Sequence, residues 1–332
     1  MSQKIWNRTL LLTAIAVSGI SATSVWLAWR NSPDLAQRIS LIALAPILSA
    51  AIISYSLRIL RFHYFLTRSG VAIPLRGTAV VQVIGFALSV TPGHIGELFK
   101  LNLIRIRTGI SEIQTAPLLL LDRLTEGGGF LILALAATLA MPGLRAQIPT
   151  SNLLLVGLGL IALFALARRL LRDTVSTKLP VGNQVSLWKR FLPYLQNLWR
   201  GLEQSFTLPQ IAGGLALSSV ARFSDGLVVL FAAHMLGVEL ALPTAVLVLA
   251  ISGLAGGISL LPAGTGAVET TMVGLLALSG ATVPNALTIT LLSRLFSLWM
   301  WVGLGLTVVF ASRLRPNLIR NATFLVDLAK VR

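Results

Sequence analysis

Five carboxylates stand where carboxylates are rare. The chain has eleven Asp and Glu residues, and Glu97, Asp122, Glu126, Asp225 and Glu269 all fall inside apolar stretches. Arg123, Arg222 and Arg294 share those stretches. A charge at the centre of a bilayer costs about 2.5–3.5 kcal/mol even on insertion-based scales, so eight of them unpaired would cost roughly 20 kcal/mol. They must face one another or a wet cavity. Spacing gives the first pairings. Asp122 and Glu126 are four apart, on one helix face, and Arg222 and Asp225 are three apart, close enough for a local structural ion pair.

Glu97 and Glu269 close two related stretches. Residues 85–97 read GFALSVTPGHIGE and residues 253–269 read GLAGGISLLPAGTGAVE. Each is an apolar run, then Ser-x-x-Pro (Ser89–Pro92, Ser259–Pro262), then glycines, then Glu. About 25 residues after each Glu comes an Arg in another apolar run, Arg123 in the first half and Arg294 in the second. Apolar segments interrupted by Gly and Pro at corresponding positions of two halves are the best sequence-level pointer to a transporter's binding site. At such a break, backbone amides and carbonyls lose their helical partners, which at membrane depth is tolerated only beside protein or water. Glycines let a headgroup approach, and helix N-termini beginning near Gly96 and Gly266 present amides to an anion. Lys100, Arg123 and Arg294 supply positive charge for a phosphate. The candidate substrate-binding or coupling set is therefore Pro92, Gly93, Gly96, Glu97, Lys100, Asp122, Arg123 and Glu126 from the first half. Pro262, Gly264, Gly266, Glu269 and Arg294 complete it from the second. Glu97 and Glu269 are the coupling or headgroup-binding acids, with Arg123 and Arg294 to balance them.

Composition says what surrounds these residues. The chain of 332 residues is 55% hydrophobic and 11% charged, against about 25% charged in a soluble domain. Several apolar runs exceed the ~18 residues that cross a bilayer. The net charge of +16 sits between those runs, where basic residues set topology and meet anionic headgroups of the cytoplasmic face, so nucleic acid is not the expected partner. There is no cysteine, and His63, His94 and His234 have no metal-ligand spacing. No cofactor or metal site is expected. No P-loop, G-x-S-x-G or H-E-x-x-H pattern occurs. Gly127-Gly128-Gly129 and Gly213-Gly214 read as close-packing points between helices.

The expected architecture is an all-α polytopic membrane protein of about six full spans. These run from Thr9 to Trp29, from Ile39 to about Leu60, and from Ala116 to Met141. The others run from Asn152 to Leu171, from Leu208 to Leu236 and from Pro284 to Ala311. Ser186 to Phe206 has the composition of an interfacial helix. The broken segments cover about 77–106 and 242–279. Arms of roughly 14 residues in the first reach only ~21 Å as helix, too short to cross ~30 Å. Making both segments re-entrant gathers Arg58 to Arg76, Arg105, Arg107, Arg168 to Arg200 and the tail on the cytoplasmic side with both termini, as the positive-inside rule asks. Three spans separate the two hairpins, so they enter from opposite faces as inverted-topology repeats. The chain divides into an N-terminal helix and loop (1–38), repeat 1 (39–141), a connecting span with the interfacial helix (142–207), repeat 2 (208–312) and a basic tail (313–332), all in one membrane domain.

Four motifs in order, Thr91-Pro92-Gly93-His94-Ile95-Gly96-Glu97, Asp122-Arg123, Leu261-Pro262-Ala263-Gly264-Thr265-Gly266-Ala267-Val268-Glu269 and Arg294, resemble the lysylphosphatidylglycerol synthase transmembrane family. This is the flippase-like membrane region of bacterial multiple peptide resistance factors. There it moves aminoacylated phosphatidylglycerol between leaflets, and a separate cytosolic domain makes that lipid. The resemblance implies a stand-alone member in the bacterial inner membrane that handles lipid without the aminoacyl transfer. The expected function is translocation, flippase- or scramblase-like, of a lipid with a charged or phosphate-bearing headgroup. Two alternatives stand beside it. One is a membrane-embedded transferase on a lipid-linked substrate, with Asp122 and Glu126 as base or metal ligands. The other is a non-catalytic partner of a lipid-synthesis enzyme.

Overall fold

The computed structural model describes residues 41–88, 97–141, 206–259 and 261–314, with isolated positions at 19, 26, 30 and 201. Among these residues all regular structure is helical. The spans expected at Thr9–Trp29 and Asn152–Leu171, the interfacial helix before Phe206, residues 89–96 of the first break and the tail beyond Leu314 lie outside the described residues.

Helices α1 (Leu41–Arg68), α2 (Leu75–Leu88), α3 (Phe99–Thr108) and α4 (Glu112–Leu139) make up the first half. In the second half, α5 (Leu208–Met235) is followed by α6 (Leu242–Ser259), a 3₁₀ turn (Pro262–Gly264), α7 (Ala267–Leu278) and α8 (Val283–Arg294). A π-helical turn (Leu295–Trp299) then joins α8 to α9 (Met300–Leu314). Four of these stretches are long and apolar enough to cross a membrane: Ile42–Arg68, Leu208–Met235, Leu242–Ser259 and Val283–Phe310. α2 is a shorter apolar helix of 14 residues, the length read from the sequence for the first arm of that break. α4 has 28 residues, like α1 and α5, and carries Asp122, Arg123 and Glu126 in its interior.

The helix starts follow local sequence. Ser111 and Thr207 precede α4 and α5, and in each case the Gln three residues on (Gln114, Gln210) accepts from the cap residue's amide, at 3.2 and 2.9 Å. α3 ends at Gly109, whose φ of 74° is the left-handed cap that glycine takes without strain. Of the glycines read as close-packing points, Gly127 meets no neighbour within 4 Å, while the others lie against adjacent helices. Gly128 lies against Leu215, Gly129 against Ser218 and Gly214 against Phe65.

Two apolar cores flank a polar belt. One gathers Phe62, Phe65, Leu66, Ile84, Leu88, Ile104, Leu118 and Trp299. The other gathers Ile47, Ala51, Val228, Val229, Met272, Leu276 and Ile289. α1 contributes residues 47–51 to one core and 62–66 to the other. The turns between them carry Ser54, Tyr55, Arg58 and Arg61, all buried. α4 and α5 repeat this order, with Asp122 and Thr125 buried after Leu118 and Leu121, and Arg222 and Asp225 before Val228. Stacking three long helices in register puts their charges at one level.

Candidate functional site

The belt is a connected ion-pair network. Lys100 Nζ reaches Glu97 Oε2 at 3.4 Å, and Arg123 also binds that carboxylate. Arg123 Nη1 donates to Glu126 Oε2 at 2.8 Å. Glu126 in turn pairs with Arg222, whose Nη1 lies 3.0 Å from Asp225 Oδ2. Asp225 closes the chain by accepting from Arg58. Beside it, Arg61 donates to Asp122 Oδ1 through Nε at 3.0 Å and Nη2 at 2.7 Å, and to Ser218 Oγ at 2.8 Å. Arg222–Asp225 is the local pair that spacing predicted, and it is also one link of a longer network.

Aromatic faces hold the cations from the other side. Arg58 stands over Tyr55 and Arg222 over Phe130, each 4.4 Å from the ring centroid. Lys100, 1% exposed, extends along Gly85 and lies 5.4 and 5.5 Å from the Phe62 and Phe86 centroids. A side chain at position 85 would occupy the path of that lysine. Tyr55 stacks on Trp301 at 4.1 Å and donates its hydroxyl to the Ser297 carbonyl in the π-helical turn.

The second break is smaller and more open. α7 begins after Gly266, and its Glu269 folds back to accept from the Gly266 amide at 2.6 Å. Arg294 Nε binds Glu269 Oε1 at 2.7 Å, and its Nη2 donates to the Ala263 carbonyl at 2.8 Å. Ala263 has φ 52°, a left-handed conformation unusual for a residue with a side chain. Gly264, at φ 65°, sits so close to Gly256 that an added Cβ would lie 2.9 Å from the Gly256 Cα. α6 packs against this turn through Gly256 and against α7 where Gly256 meets Val268.

A cavity of about 740 Å³ joins the two breaks. Glu97 and Leu98 line it from the first, and Gly256, Ala263, Gly264 and Val268 from the second. Arg58, Arg61, Arg123, Arg222 and Arg294 face it as well, with Asp122, Glu126 and Asp225. Four buried polar atoms of its wall have no partner among the described residues: Arg58 Nε, Gln82 Oε1, Arg222 Nε and Asp225 Oδ1. Each such atom costs about 1–3 kcal/mol while it stays unmet.

Glu97, Lys100, Asp122, Arg123 and Glu126 thus come together, and in the second half Arg294 lines the same cavity and holds Glu269, which like Lys100 stands behind its wall. Gly264 belongs to its wall, while Pro262 opens the 3₁₀ turn and Gly266 caps α7. Pro92, Gly93 and Gly96 lie outside the described residues. Two expectations change. Arg58 and Arg61 belong to no cytoplasmic basic cluster: α1 continues through them to Arg68 and buries both against Asp225 and Asp122. The Gly266 amide is not presented to an external anion, because Glu269 of its own helix takes it. Tyr55 and Gln82 are further members that the sequence did not mark. For Arg58 and Arg61 a signal existed, since the apolar pattern resumes at Phe62, Phe65 and Leu66, so the run did not end at Leu60. Among the described residues, no group of three or more His, Cys, Asp or Glu side chains is placed to hold a metal.

The family model of the lysylphosphatidylglycerol synthase TM region matches residues 9–305. The chain belongs to this family. As a lysylphosphatidylglycerol synthase TM region it is a multi-pass membrane protein linked to lipid handling. No curated protein matches it. The matched range takes in both breaks, the charged belt and Arg294.

Proposed function

We propose that the protein translocates a lipid with a charged or phosphate-bearing headgroup between the leaflets of the bacterial inner membrane. The observation that carries this reading is the shared cavity. Two helix breaks far apart in sequence line one space that is rich in arginine and enclosed by long apolar helices. A headgroup needs such a polar path across hydrocarbon, and guanidinium groups hold phosphate through paired hydrogen bonds. Glu97 and Glu269 act as the headgroup-binding or coupling acids, and each is already balanced by an arginine of its own half. The transferase alternative fits less well, because Asp122 and Glu126 are engaged by guanidinium groups and not gathered for a metal.

In this reading α2–α3 and α6–α7 are re-entrant hairpins that enter from opposite faces, within about six spans and with both termini cytoplasmic. α7 has 12 residues and as a helix reaches ~18 Å, short of the ~30 Å hydrocarbon thickness. Single cysteines at 279–284 of this cysteine-free chain test the arrangement, and labelling from the cytoplasmic side alone rules it out. Function is tested by leaflet exchange of fluorescent lipids in proteoliposomes, with and without a pH gradient. Wild type should exchange lipid, and folded Glu97→Gln/Glu269→Gln protein should not. No exchange of any lipid by folded wild-type protein ends the proposal.

A further inference from the structure

Lys100 stands behind the cavity wall and does not line it. Its side chain has no exposed surface. The stem runs so close to Gly85 that a Cβ added there would lie 2.0 Å from the lysine Cε. Phe62 on α1 and Phe86 on α2 enclose the amine. Among the described residues its link to the cavity is Glu97, which lines the wall and whose Oε2 lies 3.4 Å from Nζ. A cation placed this way cannot touch a ligand, so it acts on the cavity through its charge.

Charge singles out the same residue. Each carboxylate of the two centres has an arginine of its own. Glu97 has Arg123, Asp122 has Arg61, Glu126 has Arg222, Asp225 has Arg58 and Glu269 has Arg294. These five pairs cancel, and among the described residues Lys100 is a sixth cation on a carboxylate already matched. Its 3.4 Å contact is also longer than the about 2.7–2.9 Å of a charge-assisted hydrogen bond. An uncompensated buried charge is costly, and lysine, unlike arginine, can escape that cost by releasing its proton. α1 and α2 face the amine with Phe62, Phe86 and Gly85. The charged groups that act on it are Glu97 beside it and Asp122 and Arg123 on α4. The two rings favour the ammonium by cation–π attraction, which keeps the charged form within reach.

We infer that Lys100 is the proton site of the transport cycle: its amine is neutral while the cavity holds no anion, and it takes one proton when a monoanion enters. The inference rests on the translocation reading only in giving the cavity a cargo with one negative charge. The proton passes from cavity water to the Glu97 carboxylate and from there to the Nζ lone pair. Glu97 ends as it began, and one negative and one positive charge have entered together. Glu97 is thus the relay and Lys100 the place where the proton rests. Cargo and proton then cross as a neutral sum, so a pH gradient can drive the movement. His94 of the same break lies outside the described residues, and the experiment below reads lysine alone.

The test is NMR of the full chain with lysine labelled with ¹³C at Cε. Replacing Lys4, Lys178, Lys189 and Lys330 by arginine leaves Lys100 as the one lysine. Spectra of the delipidated protein in neutral detergent are taken at pH 8, where an ordinary lysine, with a pKa of about 10.4, is charged. The resonance should stand at the neutral-amine position. Phosphatidylglycerol, the monoanionic probe, should shift it to the ammonium position, and zwitterionic phosphatidylcholine should not. In the unaltered chain the same state appears as one neutral lysine among five, so the outcome does not hang on the replacements. A charged Lys100 in the delipidated protein overturns the inference. So does a resonance that phosphatidylglycerol does not move, or that phosphatidylcholine moves equally. A neutral lysine that charges with phosphatidylglycerol, in protein that exchanges no lipid, leaves the proton site standing and removes translocation. Lipid exchange by protein whose Lys100 is charged throughout does the reverse.

Discussion

The two halves of the molecule close the same pair in different settings. Glu97 meets Arg123 26 positions on, and Glu269 meets Arg294 25 positions on. Glu97 is 5% exposed and is shared by Arg123 and Lys100, and Arg123 passes the connection to Glu126. The Glu269 side chain is 25% exposed, has one cationic partner among the described residues, and uses its other oxygen on the start of its own helix. The first pair is a node of the central network, so moving it disturbs α1, α4 and α5 together. The second is a local clasp. Arg294 ties Glu269 to the Ala263 carbonyl, within a break that already holds a left-handed alanine. The same motif is therefore a node of the buried network in one half and a separate, more exposed contact in the other.

The largest effect should separate the two acids. Glu97→Gln leaves buried Lys100, and Arg123 whose side chain is 38% exposed, short of one carboxylate; breaking a buried pair costs about 3–5 kcal/mol, and the exposure of Arg123 places this loss at the lower end. Glu269→Gln keeps one side-chain oxygen, which can serve the Gly266 amide or Arg294 but not both, and because the site is a quarter exposed the loss should be about 1–2 kcal/mol. Thermal unfolding of the two variants in detergent measures the difference. Equal losses would mean that the halves are alike and that the network adds nothing to Glu97.

That asymmetry was only partly legible in the sequence. The two breaks, the long helices and both Glu–Arg partnerships could be read, because Gly/Pro interruptions and charges inside apolar runs are local signals. α2 and α5 came out nearly as their patterns require. For Arg58 and Arg61 the apolar pattern that resumes at Phe62 marks a continuing helix, but not the carboxylates they meet. A basic residue near the end of an apolar run looks like a topology signal unless its partners are known. Those partners, Asp225 and Asp122, lie 167 and 61 positions away. Tyr55 and Gln82 are ordinary residues in an apolar helix until packing gives them neighbours. The local capping of Gly266 by Glu269 was a matter of spacing, since Gly-x-x-Glu at a helix start is a capping pattern. The same glutamate also reads as a free acid, and the sequence alone does not choose.

Each half also has a glycine whose missing side chain makes room for another element. Gly85 admits the stem of Lys100, whereas Gly264 admits the backbone of Gly256. Alanine at either position should cost about 1–3 kcal/mol by overpacking. A double-mutant cycle separates the causes. Gly85→Ala should cost clearly less when Lys100 is already Ala, because the obstructing stem is gone. Gly264→Ala should cost the same in both backgrounds, since its obstacles are the Gly256 backbone and Val268, and its φ of 65° disfavours any side chain. Coupling of Lys100 to both glycines would join the two breaks into one packing unit and remove the contrast drawn above.

The smallest effect is expected where the chemistry is the same and the setting is water. Arg105 on α3 and Glu112 on α4 form an ion pair at 3.3 Å with side chains 60% and 44% exposed. These are the helices that also carry Lys100 and Arg123 into the buried network. Solvent screens such a pair and both side chains lose freedom in making it, so Glu112→Gln should change stability by less than about 0.5 kcal/mol. The same unfolding assay reads it beside Glu97→Gln. If the exposed pair matters as much as the buried one, burial does not set the cost of breaking an Arg–carboxylate contact in this protein. The rigidity assigned to the first half would then need another source, such as the packing of Phe62, Phe65 and Leu118 around it.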